Sequence, residues 1–421
     1  MITKQTNTRL IHYAWVVLAV GTLTVFGALG LARFGYSLVL PSMQTALNLD
    51  NTGAGGLATA NLTGYLLMSL IGGALASKYG PRLIISIGML LTGSSMLLTG
   101  TIRTVWSAML WRTVTGFGSG ASNVPTMALM SAWFGPALRG LATGIAATGS
   151  SIGLIVTGPL VGRLISAFPE QGWRIAWYIF GGAVLLIAVI NIIFLRNEPS
   201  KRGLSRLGVP EPEGKPKSAS KNSMKWGSVY RSPTVWHLGM VYAAFGFSYI
   251  IYVTFFVKYL VGELDYTARA AGNLFMLVGW FSLGCGFIWG SISDRLGRRP
   301  ALVLIQLIHS ISFLVFGIWQ STAGFTLSAA LFGLTAWSIP AVMAAACGDV
   351  VGHRLAPAAL GFVTFFFGVG QAAGPSVAGA IADMSGSFTG AFILSAAVAF
   401  AGAIGSLFLK TAKQPLTGSS R

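Results

Sequence analysis

Twelve apolar runs, each about twenty residues or longer, leave this chain few folds to choose from. They fall roughly at 13–41, 54–77, 83–102, 105–134, 140–167, 173–195, 234–260, 270–292, 300–319, 324–347, 357–382 and 388–409. About twenty apolar residues in a helix cross the hydrocarbon core of a bilayer. Within that core only helices or closed barrels satisfy their own backbone polar groups. The runs therefore predict an all-α membrane protein with twelve transmembrane helices. Charged residues make up 9% of the chain, against about 25% in a soluble domain. The 55 glycines suit helices whose backbones approach closely. The first run is too long for a cleaved signal peptide, so none is expected.

The long polar segment lies between runs six and seven. It contains "EPEGKPKSASKNS" (Glu211–Ser223) and reads as a flexible linker. The predicted organisation is a six-helix bundle over 1–195, a linker over 196–232 and a second bundle over 233–421. The two halves repeat. Pro125 and Pro340 are 215 positions apart, the Gly-Pro pairs at Gly158 and Gly374 are 216 apart, and Gly73 and Gly290 are 217 apart. Two pseudo-symmetric bundles usually hold a substrate site between them, near the midplane.

The net charge of +18 reports topology more than ligand. With both termini and the linker placed in the cytoplasm, all but seven of the 28 Lys and Arg lie on the cytoplasmic side. The seven are Arg33, Arg103, Arg112, Arg163, Arg174, Lys258 and Arg269. This is the positive-inside bias, spread along interfaces rather than gathered on one face as nucleic-acid binding requires.

The loop after run eight reads "GSISDRLGRR" (Gly290–Arg299). It resembles the G-x-x-x-D-[RK]-x-G-[RK]-[RK] motif of the major facilitator superfamily. The first-half copy, "GALASKYGPR" (Gly73–Arg82), has Ser77 where the family has Asp. "RTVTGFGSG" (Arg112–Gly120) is similar to the superfamily's R-x-x-x-G-x-G pattern, and "GLIVTGPLVG" (Gly153–Gly162) and "GQAAGPSVAG" (Gly370–Gly379) to its Gly-Pro helix motif. The runs "SAWFGPALRGLATGIAATGSSIG" (Ser131–Gly153) and "GWRIAWYIFG" (Gly172–Gly181) resemble the branch of monocarboxylate transporters and oxalate–formate exchangers. The resemblance implies the major facilitator fold, with helices one, four, seven and ten around a central cavity. It also implies a gating role for Gly290, Asp294, Arg295, Gly297 and Arg298. The eighth run, "GNLFMLVGWFSLGCG" (Gly272–Gly286), has no basic residue, so the branch's anion-binding residues do not carry over.

Arg33 stands alone in the first apolar run, eight residues before Pro41. At 1.5 Å per residue that is roughly 12 Å below the helix end. Arg112 lies at a similar depth in run four, so the two cations are expected to converge. Gly27, Gly30, Arg33 and Ser37 share one face at helical spacing, as do Arg112, Thr115, Ser119, Asn123 and Thr126 on run four. Tyr242, Phe245, Tyr249 and Tyr252 form an aromatic stripe on run seven. All ten acidic residues fall in loops or at helix ends. A buried cation without a counter-ion costs at least ~2.5–3.5 kcal/mol on insertion scales, and a carboxylate substrate supplies the missing charge.

The expected substrate site is Arg33, Tyr36, Arg112, Ser119, Asn123, Tyr249 and Tyr252. The expected function is secondary transport of a small mono- or dicarboxylate by alternating access, with proton symport or anion exchange. Efflux of neutral or cationic lipophilic compounds is the alternative. No nucleotide loop of the G-x-x-x-x-G-K-[ST] type and no catalytic or metal constellation argues for an enzyme. Cys285 and Cys347 read as small buried residues. No cofactor or metal is expected. The expected setting is a monomer in lipid, spanning a bacterial cytoplasmic membrane, with substrate and protons as partners. His309 reads as a satisfied packing residue.

Overall fold

The computed structural model describes residues 12–208, 227–352 and 355–409. The Lys-, Ser- and Pro-rich part of the linker, Glu211–Ser223, lies outside the described residues, as do both chain ends.

Twelve helical spans run through the described residues. They are α1 (Ala14–Ala46), α2 (Asn51–Tyr79), α3 (Pro81–Thr101), α4 (Val105–Trp133), α5 (Pro136–Ala167), α6 (Gly172–Phe194) and α7 (Pro233–Gly262). Next come α8 in two parts (Ala268–Ser282 and Cys285–Leu296), α9 (Arg298–Ile318), α10 (Thr322–Val351), α11 (Ala356–Ser385) and α12 (Thr389–Leu407). Ten of them are long and apolar enough to cross a membrane, and α8, bent by 43°, makes eleven. The remaining span, α4, has 29 residues. Arg112, Ser119, Ser122 and Asn123 make it more polar than the rest.

Local chemistry sets the helix ends. Asp50 accepts from Gly53 N at 2.6 Å and starts α2. Thr104 and Ser107 cap α4 reciprocally, a capping box. Gly80 and Gly297, 217 positions apart, turn the α2–α3 and α8–α9 junctions at φ +91 and +92. Glycine reaches that region without a Cβ clash, so the sequence repeat is also a backbone repeat.

Helices α1–α6 pack on one another and α7–α12 do the same. The main pairs that join the halves are α2 with α11, α5 with α8, and α1 with α7. Two of these crossings have backbone in direct contact. A Cβ on Gly55 of α2 would lie 2.1 Å from the Pro375 carbonyl oxygen, and one on Gly158 of α5 would lie 2.4 Å from that of Gly272. The Gly-Pro runs thus serve close packing. Asp383 at the end of α11 accepts from Asn51 N (3.0 Å), Thr52 N (2.8 Å) and Thr52 Oγ1 (2.5 Å), so it caps α2 across the two halves. Thr59 adds bonds to Ala372 O and Ser376 Oγ, both at 2.8 Å.

The same helix faces part at their other ends. Gly286 continues the seven-residue spacing of Gly272 and Gly279 on α8 and Gly290 follows about one turn later, yet nothing beyond their own helix backbone lies within 4 Å of where their Cβ would stand. Gly144 on α5, Gly73 on α2 and Gly361 on α11 are equally open. The halves are sealed at the α1–α2 end and splayed at the end bearing the α2–α3 and α8–α9 loops.

At the splayed end Arg298 joins three partners. It pairs with Asp294 at 2.5 Å, meets Asp349 of α10 at 3.1 Å, and donates to Ser293 Oγ at 2.9 Å. Asp294 and Arg295 are exposed. The first-half loop is held by neutral groups at two points. Ser77 bonds back to Gly73 O in its own helix, and Asn197 beyond α6 accepts from Arg82 N at 2.8 Å. The described start of the linker is pinned, because Leu207 N donates to Trp133 O and Leu207 O accepts from Gly135 N.

Candidate substrate-binding site

α1 changes character in its middle. Phe26–Phe34, "FGALGLARF", is nine residues of π-helix between two α-helical stretches, and Gly35 N bonds to Gly30 O, five residues back. π-Helix is rare and concentrates at functional sites. Small side chains let the widened turn sit flush on α5: a Cβ on Gly30 would lie 2.7 Å from Gly153 Cα. Gly30 therefore faces α5 rather than a wet cavity. Counting Gly27, Gly30, Arg33 and Ser37 as one face assumes 3.6 residues per turn, and the π-turn breaks that phase.

Arg112 of α4 supports this stretch from behind. It is 1% exposed. Its Nη1 donates to Ala32 O at 2.9 Å, and its guanidinium lies 4.4 Å from the Tyr36 ring centroid and 5.4 Å from that of Trp177. Arg33, next to Ala32, is close enough to Arg112 to act on it electrostatically. The two cations do converge, but Arg112 is committed to a carbonyl and two rings.

Arg33 is 9% exposed. Its guanidinium lies 4.3 Å from the Tyr65 ring centroid and within electrostatic reach of the Tyr249 phenol. Neither Nε nor Nη2 has a hydrogen-bond partner. These two nitrogens form the side edge of the guanidinium, the edge that takes a carboxylate bidentately. Among the described residues no ion pair reaches Arg33 or Arg112.

The other predicted residues separate. Asn123 Nδ2 donates to Tyr65 Oη at 2.9 Å, which puts Asn123 beside the Arg33 site with its Oδ1 unpaired. Ser119, one turn away on α4, is buried with Oγ unpaired. Tyr249 accepts from Gln371 Nε2 and joins the stack of Tyr242, Phe245 and Phe367, in which neighbouring planes diverge by 2° to 19°. Tyr36 turns its hydroxyl away from the cavity, to Ala54 O of α2 at 2.7 Å. Tyr252 also turns away: it bonds Ser328 at 2.8 Å and packs among Phe256, Phe313, Phe316 and Phe332 in the second-half core. Thr115 of the α4 stripe meets Ser95 of α3. A helix packed on several sides sends its polar groups to several neighbours.

Three half-buried aromatic residues that sequence reasoning did not select surround Arg33 and Tyr249: Tyr65, Trp337 and Phe367. Trp337 stands at the break in α10. It stacks on Phe34 at 5.2 Å, meets Tyr249 edge-on at 6.4 Å, and donates to Ser151 Oγ of α5 at 3.1 Å. Ser151 also receives Ser282 of α8 at 2.8 Å, so Trp337 closes the site where the halves meet. Its one sequence signal is its place three residues before Pro340, the proline that repeats Pro125. His309 lies among Phe245, Phe313 and Phe332 with both ring nitrogens unpaired by hydrogen-bond geometry. It is packed, as expected, with the Thr335 backbone beside it.

Twelve helical spans, eleven of them long and apolar enough to cross a membrane, two repeated halves and a paired charged loop define an MFS-type membrane transporter. The chain belongs to the family described as "Uncharacterised MFS-type transporter YbfB", whose model matches residues 25–407. It is 24% identical over 388 residues to the hexuronate transporter of Bacillus subtilis, covering 88% of each chain. It is 26% identical over 399 residues to a probable sulfoacetate transporter of Cupriavidus necator, covering 90% of this chain and 89% of that one. Its fold is similar to that of a bacterial homologue of the human lysosomal transporter Spinster, solved inward-facing and unoccupied. The TM-score is 0.72 at 16% identity, over 95% of this chain and 96% of that one.

Proposed function

We propose that the chain moves a small organic anion across the bacterial cytoplasmic membrane by alternating access, with Arg33 as the residue that binds it. The carrying observation is the free Nε and Nη2 edge of a nearly buried arginine with no carboxylate paired to it. A carboxylate would satisfy both nitrogens and the charge together. The relatives named for hexuronate and sulfoacetate transport support an anionic substrate. Asn123 and Tyr249 flank the bound head group. The expected coupling is exchange for a second anion, or a proton carried with the substrate, since neither route needs an acidic side chain beside Arg33.

The halves, 1–195 and 233–421, rock about the site. With termini and linker cytoplasmic, the sealed α1–α2 end faces outward and the splayed end faces the cytoplasm. Gly290, Asp294, Arg295, Gly297 and Arg298 form the cytoplasmic gate region. Gly73, Gly144, Gly286 and Gly361 are the faces that meet when it closes. Asp383 is the outer latch: its carboxylate takes three donors at the positive end of α2, where negative charge is favoured. Asp383→Asn is expected to favour outer opening about tenfold, since hydrogen bonds to charged groups contribute about 1.5–3 kcal/mol. The readout is labelling of Ser376→Cys by an impermeant maleimide, with Cys285 and Cys347 replaced by Ala. Unchanged labelling would remove the latch from the account.

The function itself is tested by uptake into proteoliposomes of labelled carboxylates and of a lipophilic phosphonium cation. Saturable carboxylate uptake, competed by other carboxylates, is expected. Transport of the cation alone would favour the efflux reading, to which the aromatic lining is also suited.

A further inference from the structure

We infer that the Arg33 site selects flat monocarboxylates, an inference that rests on the anion-binding reading above. One free guanidinium edge is present. Arg112, the other buried cation beside it, is spent on Ala32 O and on the faces of Tyr36 and Trp177. A second carboxylate on the same substrate would find no second guanidinium with two buried unpaired nitrogens. The other unpaired groups nearby are Asn123 Oδ1 and Ser119 Oγ, which are neutral, and Arg112 Nε, whose guanidinium is 1% exposed against the Tyr36 and Trp177 rings. A charge taken from water and left unpaired in an apolar wall is strongly disfavoured, so the site is matched to one negative charge.

The wall gives the shape. Tyr65 lies against the arginine, and Trp337 and Phe367 flank Tyr249, the phenol within its electrostatic reach. Phe367 is near-parallel to Tyr249, 6.0 Å away at 3°, and Trp337 stacks on Phe34. Rings held in this way are fixed in orientation, and a planar conjugated body seated beside them gains offset stacking that a puckered body of equal area does not. The head group is set by Arg33 on the first half, while the body lies against α10 and α11 of the second. One ligand of this shape touches both halves.

The test is equilibrium binding by titration calorimetry to the purified full-length chain in detergent at neutral pH. The probes are benzoate, terephthalate and cyclohexanecarboxylate, on the wild type, Arg33→Gln, Phe367→Leu and Trp337→Leu. Terephthalate keeps the flat ring and puts a second charge at its far end. Benzoate is expected to bind at least tenfold more tightly than terephthalate and about threefold more tightly than cyclohexanecarboxylate. Phe367→Leu or Trp337→Leu should erase the second preference and keep the first, and two variants guard against one that fails to fold. Terephthalate or cyclohexanecarboxylate binding as tightly as benzoate, all losing affinity in Arg33→Gln, would overturn the selectivity and leave the anion reading standing. Absence of carboxylate binding, or binding indifferent to Arg33→Gln, would overturn the anion reading and this inference with it.

Discussion

Arg33→Gln is expected to weaken carboxylate binding about a hundredfold and to abolish concentrative uptake at micromolar substrate. Glutamine retains one donor group but not the charge or the two-pronged edge. Hydrogen bonds to charged groups contribute about 1.5–3 kcal/mol, and each 1.4 kcal/mol is tenfold in affinity. Arg33→Lys should recover part of the loss, because lysine supplies charge as a point without the planar fork. The Tyr65 face, 4.3 Å from the guanidinium, stabilises either cation. Calorimetric affinities of the three forms check the order Arg, Lys, Gln. Equal affinities would place the anion elsewhere.

The second large effect belongs to a residue that does not touch substrate. Arg112 holds the Ala32 carbonyl at 2.9 Å, one residue before Arg33, inside the π-helical stretch. Without Nη1 that carbonyl loses its charged side-chain donor, at a cost of about 1.5–3 kcal/mol, and the turn that aims Arg33 loses its support. Arg112→Gln is expected to lower anion affinity about tenfold and to lower the melting temperature. Arg112→Lys separates the explanations. An ammonium keeps the positive charge near the site but cannot lie flat between Tyr36 and Trp177 while reaching Ala32. Failure of lysine to restore affinity is the expected result, and full restoration would mean that charge, not positioning, is what Arg112 supplies.

The sequence made the large-scale fold plain because its signals are long. Twenty apolar residues and a repeat near 216 positions survive any local irregularity, and the paired Gly80 and Gly297 turns show that repeat in the backbone. The convergence of Arg33 with Arg112 was legible from depth along two helices and from the absence of mid-membrane acids. Local phase was not. Nine residues of π-helix shift every side chain that follows, which turned Gly30 onto α5 and Tyr36 toward α2. Tyr252 belongs to the stripe of Tyr242, Phe245 and Tyr249 by spacing alone. On a helix apolar all round, spacing does not say which side is core. Tyr65, Phe367 and Trp337 looked like ordinary membrane aromatics, because what marks them is the neighbour each meets across the chain.

The measurement that bears most directly on the anion-binding claim is a ligand-induced thermal-shift screen of the purified protein. It would compare small carboxylates with lipophilic cations, on the wild type and on Arg33→Gln. A ligand that binds only the folded state raises its stability in proportion to the logarithm of occupancy. The account predicts stabilisation by at least one carboxylate, absent in Arg33→Gln, and none by the cations. Stabilisation by cations alone, or by carboxylates to the same extent in Arg33→Gln, would contradict it.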